Sequence, residues 1–174
     1  MKINRGTAIR LFHILGSIPF GCLDDNTFEA VFENTNALRD VEEDFNLIKR
    51  ELFKRIYEPG SMSEEDRGKL DAFFGIIDKI GAASSDEVEA LDAAAKRDYS
   101  ELYAKRTREI SIIKSLLDKQ VDINITKVDR DAFCKGIMKC NNDIPIIELY
   151  SVFGFMFNEN DESSCFSELD ELLK

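Results

Sequence analysis

Two helical stretches with no proline or glycine inside them, 26–57 and 84–120, constrain this chain more than any other feature. At about 1.5 Å of rise per residue, each would run roughly 45 to 55 Å, well past the usual helix of a small globule. Such lengths favour a mainly α architecture, an elongated helical hairpin or bundle, over a compact enzyme fold.

In the first stretch Phe28, Val31, Thr35, Leu38, Val41, Phe45, Ile48, Leu52 and Ile56 step by three or four residues, the seam of a long packed helix. Thr35 and the short step from Leu38 to Val41 spoil a clean heptad, so an extended coiled coil is not required. In the second, Val88, Tyr99 and Ile110 recur every eleven residues, a period of about 3.67 residues per turn that keeps a seam nearly straight. Arg106 falls on this seam, either snorkelling outwards on its aliphatic stem or pairing with an acid of the first long helix.

Shorter elements bring the expected total to about six helices. Ala8, Leu11, Phe12, Leu15 and Ile18 predict a first amphipathic helix, ended by Pro19 and Gly21, after which Asp25 or Asn26 caps the next. Pro59 and Gly60 stop that helix. Ser63 before Glu64, Glu65 and Asp66 opens a third, closed after Ile80 by Gly81, and Ser84 and Ser85 before Asp86 and Glu87 open the fourth. Asp129 caps a fifth through Lys139, and Pro145 starts a sixth running to about Phe157. Between the fourth and fifth, Val121, Ile123 and Ile125 alternate with Asp122, Asn124 and Thr126, the period of a strand over 121–128. A strand needs a partner, and 1–4 is the one short extended candidate, so a two-stranded element should pair 1–4 with 121–128 and bring the ends of the fold together.

One helical domain over 1–157 is expected, followed at 158–174 by an acidic linker and a short amphipathic tail helix. The sixth helix is apolar nearly all round, which suits burial between other elements or a partner surface carried by Phe153, Met156 and Phe157. The tail helix presents Phe166, Leu169, Leu172 and Leu173, either to its own domain or to a groove elsewhere.

A formal charge of −11 argues against direct binding of nucleic acid or an anionic membrane, both of which need a basic face. No apolar run approaches the roughly 20 residues of a membrane span, and no signal-peptide pattern opens the chain, so a soluble cytoplasmic protein is expected. The four cysteines, Cys22, Cys134, Cys140 and Cys165, form no C-x-x-C pair, and His13 is the single histidine. A zinc site is not expected. Six residues apart on a helix, Cys134 and Cys140 point to different flanks, and reduced, half-buried thiols are expected. The chain also lacks G-x-G-x-x-G, P-loop, G-x-S-x-G and H-E-x-x-H motifs. Neither catalysis nor a cofactor is expected.

The order of parts, a Met1-Lys2-Ile3-Asn4 start, an Ala8/Leu11/Leu15 helix, a long charged helix, then VDINITKV and an apolar helix, resembles small bacteriophage-encoded helical proteins of uncharacterised families. The resemblance covers most of the chain, rests on spacing alone and carries over no functional residue. It implies a phage or mobile-element origin and a bacterial host cell.

Two functions follow from these observations. The first is a non-enzymatic interaction or assembly protein, binding another protein or a second copy of itself. The alternative is an acidic inhibitor of a nucleic-acid-binding host protein, of the anti-restriction or anti-CRISPR kind, offering Glu29, Glu33, Asp40, Glu43 and Asp44 to a basic cleft.

Overall fold

The computed structural model describes residues 1–58, 60–140 and 153–157. Among them are six α-helices and one small sheet. The order is β1 (Lys2–Asn4), α1 (Arg5–Gly16), α2 (Asp25–Tyr57), α3 (Glu64–Ala82), α4 (Ser85–Asp98), α5 (Ser100–Asp118), β2 (Gln120–Asp122), α6 (Arg130–Lys139) and a 3-10 turn, Gly154–Met156. The mainly helical class with a two-stranded β element is thus present. Residues 158–174, with the expected tail helix, lie outside the described residues, as does the expected sixth helix up to residue 152; of that helix only 153–157 is described.

Contacts divide the chain into two compact units. The first is Met1–Glu43 with the chain from Lys119 onward, and the second is Asp44–Asp118. Helix α2 belongs to both, because its buried residues serve one core as far as Leu38 and another from Phe45.

In the first unit, β1 and β2 pair antiparallel, with Lys2 opposite Asp122, Ile3 opposite Val121 and Asn4 opposite Gln120. The ladder is three residues long and does not run on to 128. Beyond Ile123 the backbone finds other partners: the side chain of Asn34 takes both backbone polar groups of Thr126, and the Val128 amide donates to Met156 O at 2.8 Å. Asn4 turns the chain from β1 into α1 by accepting the Thr7 amide at 2.8 Å. Ala8, Leu11, Leu15 and Ile18 then enter a core completed by Val31, Leu38, Ile123, Val128, Phe133 and Ile137. Phe133 meets Phe153 and Phe157 edge-on at 5.4 and 5.7 Å.

The cysteines depart from expectation. Cys22, in the loop after α1, is bridged to Cys140 at the end of α6, with Cα atoms 5.9 Å apart, inside the range a disulfide spans. Cys134, half-buried, is not in the bridge. The loop reaches α6 because Gly136 has no side chain: a Cβ there would lie 2.5 Å from Leu23 Cδ2 and 3.2 Å from the Cys22 carbonyl oxygen. Helical spacing compares cysteines along one helix; the bridge joins residues 118 apart in sequence.

The second unit is built around a run of aromatic rings. Phe53 and Tyr57 of α2 contact Phe74 of α3 at 5.6 and 5.2 Å, Phe74 contacts Phe73 at 5.4 Å, and Phe73 contacts Tyr99 at 6.0 Å. Such pairs each add about 0.5–1.5 kcal/mol beyond their buried area. Gly60, at φ +105°, takes the left-handed backbone after α2 ends. Ser63 caps α3 by accepting the Asp66 amide, and Glu87 accepts from both the Ser84 amide and hydroxyl at the start of α4. Gly81, expected to end α3, lies inside it; the helix runs one residue further and closes on Ala83.

The long helix expected over 84–120 is broken. Tyr99, at φ −132° and ψ 45°, separates α4 from α5. Straight α-helix would set Asp92 and Tyr103 about 16.5 Å apart along the axis, beyond the combined reach of the two side chains. Yet the Tyr103 hydroxyl donates to Asp92 at 2.9 Å. The eleven-residue recurrence therefore marks two segments folded against each other, with the Tyr99 ring turned onto Phe73.

Candidate functional site: the exposed face of helix α2

Asp24, one residue before the expected caps, starts α2. Its Oδ1 accepts the Thr27 amide at 3.0 Å and its Oδ2 the Thr27 hydroxyl at 2.8 Å. Those two bonds, the backbone one foremost, hold the Asp24 carboxyl below the ordinary aspartate range. Within the first unit the buried line of α2 is then Thr27, Val31, Asn34 and Leu38. The line expected from sequence ran through Phe28, Val31, Thr35 and Leu38. Asn34, 0% exposed, takes the core position because its amide has an exact mate: Nδ2 donates to Thr126 O at 2.9 Å and Oδ1 accepts Thr126 N–H at 2.8 Å. A polar residue with both hydrogen-bonding sides satisfied costs little to bury.

That rotation turns Phe28 out of the core. Phe28 is 45% and Phe32 53% exposed, and the two rings stack nearly parallel, 13° between planes and 6.2 Å between centroids. Four residues apart, they sit one above the other on the helix surface. Of the carboxylates expected to form an acidic face, Glu29 and Glu33 lie beside the pair, and Asp40, Glu43 and Asp44 follow two or more turns further along the helix. Glu29, Glu33, Asp40 and Glu43 are all exposed on this stretch of α2, and Asp44, also exposed, begins the second unit. Glu33 is held in place, its Oε2 accepting the Thr126 hydroxyl at 2.7 Å. Among the described residues none of these five acids forms an ion pair, whereas the neighbouring Glu42 meets His13 at 2.9 Å.

The apolar partner candidates have another fate. Phe153, Met156 and Phe157 are 1%, 0% and 6% exposed, so they fill the first unit's core and are not presented to a partner. Phe166, Leu169, Leu172 and Leu173 lie outside the described residues.

The second unit holds one buried ionic cluster that the periodicity of its helices does not reveal. Glu109, 6% exposed, accepts the Tyr57 hydroxyl at 3.0 Å and the Arg106 guanidinium at 2.6 Å. Arg106 thus finds its acid on its own helix, not on α2; α2 supplies a phenol to the same carboxylate. Burial, and then the negative charge of Glu109, push the Tyr57 hydroxyl well above its ordinary value. The signal available in the sequence was the three-residue Arg106–Glu109 spacing, which is also that of any solvated helix pair.

Beside Tyr57, a recess of about 400 Å³ opens between Leu70, Leu102, Lys69 and Lys105. Its lysines are engaged by Glu65 and Glu101 one helical turn earlier. Nothing there pairs a nucleophile with a base. Among the described residues no group of three or more His, Cys, Asp or Glu is placed to hold a metal ion, and no helix is long and apolar enough to cross a membrane.

No protein-family model, curated protein or solved structure matches the chain. Function has to be read from its own surface.

Proposed function

We propose that this is a non-enzymatic protein-interaction protein that docks a partner on the exposed face of α2 in its first unit. One observation carries the reading: two stacked phenylalanines stand half in water on the first unit's stretch of α2, where the other large apolar side chains, Val31, Leu38 and Val41, pack in the core. Aromatic side chains are the usual anchors of interfaces, and the stack is pre-formed, so little rotamer freedom is lost when it is covered. The test is capture from a lysate of the producing cell on tagged wild-type protein and on the Phe28→Ser/Phe32→Ser double variant, quantified by mass spectrometry. Both changes are at exposed positions, and circular dichroism should show the same helix content. A partner recovered at least about tenfold better on the wild type supports the proposal; equal recovery of every bound protein refutes it.

The inhibitor of a nucleic-acid-binding protein is favoured by one feature, the exposed row of Glu29, Glu33, Asp40 and Glu43 without cationic partners among the described residues. It is the narrower version of the same docking and requires the captured partner to bind nucleic acid in competition with this chain.

A further inference from the structure

The composition of the α2 face decides what kind of partner it accepts. Three occupants compete for it: the chain's own tail, a second copy, and a different protein. The tail, 158–174, carries Glu159, Asp161, Glu162, Glu168, Asp170 and Glu171 against the single base Lys174. Laid on Phe28 and Phe32, it would bring those carboxylates against Asp25, Glu29 and Glu33. A second copy brings a net charge of −11 to an equal charge, and an isologous pairing would set each acidic flank against its own image. Like charges brought together and partly desolvated oppose docking. Both self-derived occupants are disfavoured by charge at the face that has to be covered.

We infer that the Phe28–Phe32 stack and its carboxylates receive a basic, amphipathic segment of another protein, placing a large apolar side chain on the rings and lysine or arginine beside Glu29 and Glu33. The inference rests on the interaction reading above and adds the chemistry of the partner. At about 3.6 residues per turn, Phe28 and Phe32 lie about 40° apart around the helix, and Glu29 follows on the adjoining flank. An apolar ridge and an acidic edge therefore run side by side, which is what a helix with apolar and basic faces complements. Glu33 is pre-positioned by Thr126, so its carboxylate meets an incoming cation without being ordered first. Arginine satisfies such a site best, since its guanidinium stacks on an aromatic ring and forks onto a carboxylate.

The probe is a random linear peptide library, selected on the wild-type protein after depletion on Phe28→Ser/Phe32→Ser. The variant keeps every charge, so depletion removes peptides that bind only because the protein is acidic. Surviving peptides should be enriched in lysine and arginine together with large apolar residues. Their binding should weaken about tenfold when the two phenylalanines are replaced, and should weaken with added salt. Glu29→Lys/Glu33→Lys should lower it by a further several-fold and flatten the salt dependence. Survivors that are uncharged or acidic would overturn the partner chemistry and leave the docking face standing. If no peptide distinguishes the two proteins, the docking face falls with it.

Discussion

Replacing Asn34 should loosen the first unit more than any other single polar substitution on α2. The side chain is fully buried and closes a two-bond ring with the Thr126 backbone, at 2.9 and 2.8 Å. In Asn34→Ala the Thr126 N–H and C=O both lose their partner. A buried group left unsatisfied costs about 1–3 kcal/mol; because Thr126 is half-buried and water reaches it in part, the lower half of that range applies twice, giving about 3 kcal/mol. Asn34→Asp distinguishes the ring from simple packing. It keeps the acceptor for Thr126 N–H but sets a carboxylate against Thr126 O, so its folded-state pKa must rise above the ordinary aspartate value of about 3.9. The variant is therefore least stable at neutral pH and recovers as pH falls through the raised value, where a protonated carboxyl again donates to the carbonyl. Denaturant unfolding followed by circular dichroism, with amide exchange of Thr126 read by NMR, measures both effects. A loss under about 1 kcal/mol in Asn34→Ala, with unchanged exchange at Thr126, would refute the ring as the link between α2 and the 123–128 segment.

Two further outcomes follow from the same geometry. Reducing the Cys22–Cys140 bridge, which closes a separation of 118 residues, should lower stability by about 2–4 kcal/mol; Cys22→Ser/Cys140→Ser should match the reduced protein and no longer respond to reductant, and full alkylation of all four thiols in the unreduced protein would disprove the bridge. Tyr57 has a folded-state pKa raised above its unfolded value of about 10, so the stability tied to its neutral form is complete below about pH 10 and is lost as pH rises beyond it; ultraviolet titration of tyrosinate should show a late-ionising group that Tyr57→Phe removes, and identical titrations would count against the Tyr57–Glu109 bond.

Much of the fold was legible because local chemistry and tertiary packing agree. Ser63 and Asp129 mark helix starts with side-chain acceptors that the structure uses, and Ser84 marks one where Glu87 accepts from its amide and hydroxyl. The alternation after Val121 reads as a strand because one face of it meets the core. Legibility ends where a distant partner decides the outcome. Tyr99 breaks a helix with no local breaker, since Asp92 and Phe73 hold the two halves in a bent arrangement. Asn34 displaces Phe28 from the buried line because Thr126, 92 residues away, satisfies its amide, and apolar periodicity counts Asn as polar and Phe as core. The same substitution hid the candidate site. The acidic residues of α2 were visible as charges, but the exposed aromatic pair emerges only once the helix is rotated by its Asn34 contact. Cys22 and Cys140 were unreadable as a pair for a similar reason: Gly136 lets the loop approach α6, and spacing records nothing of that approach.

The central claim concerns two side chains and whether something covers them. Hydroxyl-radical footprinting of the intact protein, alone and in lysate of the producing cell, reads the oxidation of Phe28 and Phe32 directly. Half-exposed rings should label readily in the isolated protein and fall several-fold in the lysate, while exposed Leu47 and Met138 keep their labelling relative to total dose. Equal labelling of Phe28 and Phe32 in both conditions would contradict a partner on the α2 face.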